Sequence, residues 1–216
     1  MMQGRIRLVW VFLLAVGVSV ALPTGVHAQA GDAGGVLNPN LASADELRGL
    51  PHLTPSLIDD LREQRPFLTM TGLHGVLSRA LSSDQLGELY PRLFVPINLN
   101  TASREEILLV PGVGDRMAHE FEEYRPYLAL AQFRREIGKY VDDDEVRRYE
   151  QHVFVPVNLN TGSDEAILSI PGVGQRLLHE FKEYRPYRAI AQFRREIGKY
   201  VDDDEVARLE RYVVVE

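Results

Sequence analysis

Asn158-Leu-Asn-Thr-Gly-Ser-Asp-Glu-Ala-Ile-Leu-Ser-Ile-Pro-Gly-Val-Gly-Gln-Arg-Leu-Leu-His-Glu-Phe-Lys-Glu-Tyr-Arg185 is the stretch whose reading decides the fold. At its centre, Pro171-Gly172-Val173-Gly174 is a tight glycine turn between two short helical patterns. About sixty residues earlier the design recurs as Asn98-Leu-Asn-Thr-Ala-Ser, Pro111-Gly112-Val113-Gly114 and Arg125. A worn copy precedes it: Asn38-Pro-Asn-Leu-Ala-Ser, Pro51-His52-Leu53-Thr54 and Arg65.

Self-similarity at a fixed period organises the whole chain. Ile97–Val155 aligns with Val157–Val215 without a gap, and most positions are identical. Leu37–Val95 fits the same frame with far fewer identities. The expected units are therefore 37–96, degenerate, then 97–156 and 157–216. Units of this length are marginal alone, so each should lean on its neighbour.

Four short helices per unit follow from local signals. Ser103-Arg-Glu-Glu106 and Ser43-Ala-Asp-Glu46 are capping boxes, while the third unit keeps Ser163 but has Ala166 at the box position. A first helix is expected to run to about Val110 and stop at Pro111. A second starts near Asp115 or Gln175 and carries Ala118, Phe121 and Tyr124, or Leu178, Phe181 and Tyr184, on one stripe. Pro126 or Pro186 closes it. A third carries Leu130, Phe133 and Ile137 and stops at Gly138. A fourth starts at Asp142 and carries Val146, Tyr149 and Val153. Val153-Phe-Val-Pro-Val157 is an extended apolar link that should pack between units. The expected fold is all-α, as tandem helix-hairpin-helix repeats of about four short helices each.

The chemistry lies in the turn. Gly112 and Gly114 permit backbone conformations closed to other residues and leave no side chain to block a ligand. The turn runs straight into a helix N-terminus, where free N–H groups and the positive end of the helix dipole favour an anion. Arg116 and Arg176 lie just past the turn and can add a charge-assisted contact to a phosphate. Such contacts carry no sequence information. A turn needed merely to join two helices would look the same.

The combination of Asn-Leu-Asn-Thr-Ala-Ser, a short helix, Pro-Gly-Val-Gly, a second helix and a closing Tyr-Arg resembles the helix-hairpin-helix domain of ComEA-type competence proteins, exported DNA receptors. The resemblance covers nearly all of the second and third units and, weakly, the first. It implies an all-α fold and sequence-independent binding of double-stranded DNA. The implied phosphate contacts are Gly112, Val113, Gly114 and Arg116, with Gly172, Val173, Gly174 and Arg176. The chain departs from the pattern in three places. The second turn, Ile137-Gly-Lys-Tyr-Val141, lacks a second glycine and is followed by Asp142-Asp-Asp-Glu145. Asp115 or Gln175 follows the glycine turn where a basic residue would serve best. The first unit has lost both glycines. A similar domain in an extrinsic photosystem II protein serves protein assembly, so fold alone does not decide function.

Other constellations carry less. Arg134, Arg135 and Lys139, repeated as Arg194, Arg195 and Lys199, form a basic helix face, either solvated or an auxiliary phosphate contact. The run Asp142–Glu145 lacks the pattern of a calcium loop and suits a helix cap. His119-Glu120 and His179-Glu180 lack the second histidine of a zinc protease, the fourth position on being Glu123 or Glu183. Tyr124, Tyr127 and Phe133 have core spacing. No nucleophile–base pair, acid pair or Walker-type loop is evident. The expectation is a non-enzymatic protein without cofactor, metal or small-molecule substrate.

The first thirty residues carry Arg5 and Arg7, a continuous apolar run from Leu8 to Leu22 and small residues around Ala28-Gln-Ala30. This is the pattern of a secretory signal peptide. The run is about 15 residues, short of the roughly 20 of a membrane span; an uncleaved N-terminal anchor is the rival reading and the only route to a membrane. Residues 31–36 form a small, glycine-rich leader. Export to the periplasm or medium is expected. The chain has no cysteine, so packing alone must stabilise it. Net charge is -7, which rules out a broadly basic DNA-coating protein and requires any basic surface to be local. The alternative function is a protein-interaction module with an envelope protein as partner.

Overall fold

The computed structural model of the chain describes residues 35–216. The expected signal peptide, cleavage site and most of the leader lie outside them. Among the described residues the fold is all-α: twelve helices with only two-residue strands. No helix among them is long and apolar enough to cross a membrane.

The first segment holds α1 (Ala44–Arg48), α2 (Pro55–Glu63), α3 (Met70–Leu77) and α4 (Ser83–Leu89). The second holds α5 (Arg104–Leu108), α6 (Asp115–Glu123), α7 (Leu130–Ile137) and α8 (Asp143–Glu150). The third holds α9 (Asp164–Leu168), α10 (Gln175–Glu183), α11 (Ile190–Ile197) and α12 (Asp203–Glu210). Caps set these starts. Ser43, Ser82 and Ser103 head complete capping boxes, and Ser163 caps α9 without a reciprocal partner. Asp142 and Asp202 accept from the backbone N–H of Glu145 and Glu205, so the acidic runs serve as helix starts.

Two boundaries differ from the sequence expectation. Helix α5 ends at Leu108, and Val110 belongs to the turn, where its carbonyl accepts from Val113. Helix α8 ends at Glu150, and Val153 belongs to a strand. The apolar link supplies β2 (Val153–Phe154) and β3 (Val157–Asn158). Strand β2 pairs in parallel with β1 (Ile97–Asn98), and β3 with β4 (Val213–Val214). A single parallel bridge joins Leu37 to Leu93. The two ends of each segment are thus tied together, which helix periodicity does not reveal.

The polar signature has a bracing role. Asn100 donates through Nδ2 to the Tyr127 carbonyl (2.9 Å) and accepts from the Tyr127 N–H (2.6 Å). Asn40 and Asn160 make the same pair of bonds with Phe67 and Tyr187. Arg125 donates to the carbonyls of Leu99 (2.6 Å) and Ala102 (2.8 Å), and Arg185 to those of Leu159 and Gly162. The Arg–Pro bonds at 65–66, 125–126 and 185–186 are cis. These arginines fix the loop before each first helix and are not free to meet a ligand.

Buried side chains from Ala42 to Val153 form one continuous core, and those from Phe154 to Val213 a second. Helix α3 packs on α5, and Glu106 accepts from the Met70 backbone N–H at 3.0 Å. The third segment reaches back: Arg211 donates to the Pro96 carbonyl at 2.8 Å. A Cβ added at Gly172 would lie 3.4 Å from Leu41 of the first segment.

Candidate nucleic-acid interface

The two glycines of each turn do different work. Gly112 (φ 84°) and Gly172 (φ 81°) occupy the left-handed region that favours glycine. His52 holds the same conformation in the first segment at φ 65°. Gly114 and Gly174 are extended, at φ -104° and -103°, a conformation open to any residue. An added Cβ at either meets nothing within 4 Å. What they contribute is the lack of a capping side chain. Eight of the twelve helices have a side-chain cap; α6 and α10 do not. At the matching place in the first segment, Thr54 accepts from the Leu57 N–H at 3.3 Å and fills its own helix end. The first amides of α6 and α10 are therefore open to an outside anion; α7 and α11 also start without a side-chain cap, at Ala129 and Ala189, but neither follows a glycine turn.

Val113 and Val173 do not add to this. Their side chains are buried, and their N–H groups are used inside the turn, on the carbonyls of Val110 and Ile170, both at 3.0 Å. Their part is to anchor the turn in the core.

Arg116 and Arg176 sit on the exposed first turn of α6 and α10, and no ion pair is recorded for either among the described residues. Each guanidinium stands beside a tyrosine: Arg116 is 6.0 Å from the Tyr140 ring centre and Arg176 is 5.9 Å from that of Tyr200. Tyr140 comes from the turn between α7 and α8, so the glycine turn and the second turn converge. Tyr140 and Tyr124 share a 2.8 Å hydroxyl contact, as do Tyr200 and Tyr184. The hydrogen bond to Tyr124, then one to Glu120, holds the Tyr140 phenol well above its ordinary range. Tyr124 is only half-buried, whereas Tyr127 and Phe133 are core residues as their spacing implied.

The expected basic face divides. Arg134 and Arg194 turn to α8 and α12, pairing with Glu150 (2.6 Å) and Glu210 (2.5 Å). Arg135 and Lys139 share Glu136, and Arg195 and Lys199 share Glu196. Lys139 and then Arg135 hold the Glu136 carboxyl below its usual range. Lys139 and Lys199 also lie over Tyr124 (4.8 Å) and Tyr184 (5.0 Å).

The two turns differ in their surroundings. In the second segment a Cβ at Gly112 would meet Glu145, and Asp115 opens α6, bonded to Arg104 at 3.0 Å. In the third, Gly172 faces Arg208, which is buried and bonded twice to Glu205 at 2.6 Å, and α10 opens with uncharged Gln175. Coulomb repulsion of a phosphate is thus stronger at the second segment. An ion pair of opposite sense joins the helix pair in each: Arg104–Glu122 (2.9 Å), beside Arg104–Asp115, against Lys182–Asp164 (2.7 Å). The sequence marked the turns and arginines; the tyrosine pairs escaped it, because Tyr124 and Tyr140 are apart in the chain and only the fold joins them.

No protein-family model, curated protein or solved structure matches the chain.

Proposed function

We propose that the chain is an exported, non-enzymatic protein built of three tandem helix-hairpin-helix units, 37–96, 97–156 and 157–216. It binds double-stranded DNA by its phosphates, without sequence preference, through the second and third units. The observation that carries this is the pair of uncapped helix starts at Gly114 and Gly174, each beside an arginine that makes no ion pair among the described residues, set against the Thr54-capped start in the first unit. Backbone amides, helix dipole and guanidinium act on one anion and read no base. Two weak sites on one duplex reinforce each other. The net charge of -7 limits binding to these local patches.

Gly114→Ser with Gly174→Ser is the decisive test. Both positions have room for a side chain and an extended backbone suited to a serine cap. The variant folds and occupies its own amides, as Thr54 does. Anisotropy with labelled duplex should show at least about tenfold weaker binding, with binding by the unmodified chain falling steeply with salt. Unchanged affinity in the serine variant would sink the proposal.

A second reading has one observation behind it. Leu128 is 82% exposed at the lip of a groove of about 450 Å³ lined by Leu130, Val155, Pro156 and Val214. An envelope protein docking there would lose its hold on a Leu128→Lys variant, measured by cross-linking; equal yields from both proteins would discard this reading.

A further inference from the structure

We infer that the tyrosine pairs Tyr124–Tyr140 and Tyr184–Tyr200 are the floor of the anion site, and that Lys139 and Lys199 are its second cation. Each site then holds two neighbouring phosphates of one strand, one at the uncapped helix end with Arg116 or Arg176, the next at the lysine. This rests on the phosphate reading given above and extends it from the glycine turn to the second turn.

The geometry is the argument. Two cations from different elements stand over two rings whose centres are 6.5 Å apart. The third segment repeats the arrangement with ring centres 6.5 Å apart and cations at 5.9 and 5.0 Å. A ring attracts a cation by its quadrupole without cancelling its charge as a bonded carboxylate does. A cation held this way is oriented yet still able to meet a phosphate. Among the described residues Arg116 has the ring and no ion pair; Lys139 divides itself between Tyr124 and a Glu136 already engaged by Arg135. Glu120, only 9% exposed, lies close enough to Tyr140 to help raise its phenol pKa, after Tyr124. The first segment lacks the assembly: Ser56, Gln64 and Ala80 replace the arginine and both tyrosines, and Arg79 alone remains of the cations. It is also the segment whose helix start is closed by Thr54. The uncapped end and the ring floor are present together or absent together.

Two sets of variants test this, with duplex DNA across a salt series. Lys139→Gln with Lys199→Gln should lower the slope of log K against log salt by about two, one phosphate per lysine. Tyr140→Leu with Tyr200→Leu should weaken binding roughly tenfold at an unchanged slope, and Tyr140→Phe with Tyr200→Phe should restore most of it, since the ring and not the hydroxyl holds the cation. A wild-type slope in the lysine variant overturns the inference, and so do leucine variants that bind as tightly as the parent. If the leucine variants fail to fold, the exposed lysines decide alone. No binding by the unmodified chain at low salt is a different result: it removes the phosphate reading itself.

Discussion

Gly112 and Gly114 stand two residues apart and answer to different physics. An alanine at 112 must take φ 84° and crowd a Glu145 oxygen at 2.9 Å. An alanine at 114 meets open space and only replaces one uncapped start by another. Gly112→Ala should therefore cost about 1–3 kcal/mol and Gly114→Ala less than about 1 kcal/mol, as read by urea unfolding. Equal costs would show that turn strain is absent. Arg125 is a second such position: removing it leaves the Leu99 and Ala102 carbonyls without their donor. Arg125→Ala should lower stability by about 1–3 kcal/mol while leaving the salt dependence of DNA binding unchanged, because its guanidinium faces the protein.

At the level of elements, α6 and α10 start from the same Pro-Gly-Val-Gly yet do not offer the same field. Asp115 and Glu145, the latter paired with Arg148, lie beside the second segment's turn; uncharged Gln175 and the Arg208–Glu205 pair hold those surroundings in the third. Gly174→Ser alone should accordingly cost more DNA affinity than Gly114→Ser alone, by severalfold at low salt and less at high salt, where screening levels the two. Measuring both single variants at two ionic strengths checks it; the reverse order would mean that the acids are too well neutralised by Arg104 and Arg148 to matter. The same comparison shows how the first segment differs. The position pairs that carry Arg134–Glu150 and Arg194–Glu210 carry His74 and Tyr90 there, hydrogen-bonded at 2.6 Å. That segment has the same core and braces and lacks the features of the proposed anion site.

For the whole molecule, one buried contact between segments adds to the dependence of stability on pH. His152 is 3% exposed, with its ring 4.8 Å from Phe94 at the end of the first segment. Burial lowers its pKa below the ordinary 6.5, so the unfolded chain binds the proton more readily. Its contribution is whole above about pH 6.5 and is lost as pH falls below it, toward the folded value. His152→Gln should flatten the decline in urea midpoint between neutral and mildly acid pH; an equal decline in both proteins would place the acid sensitivity elsewhere. Arg211, half-buried, reaches back from the third segment to the same stretch, where it donates to the Pro96 carbonyl.

The residues themselves determined the helices, their caps and the place of the turns, because each rests on a signal a few residues long. Ser103 with Glu106, Pro111 before two glycines, and Phe133 with Ile137 are all local. So are the candidate residues Gly114, Arg116, Gly174 and Arg176, which follow one another in the chain. Tertiary structure alone decided what joins distant residues. It tied Ile97 to Val153 and Val157 to Val213, showed that Val113 spends its N–H inside the turn, and turned Arg134 away to Glu150. It also brought Tyr140 under Arg116. A side chain's neighbour across the fold depends on how helices pack, and helical spacing records only which face is apolar.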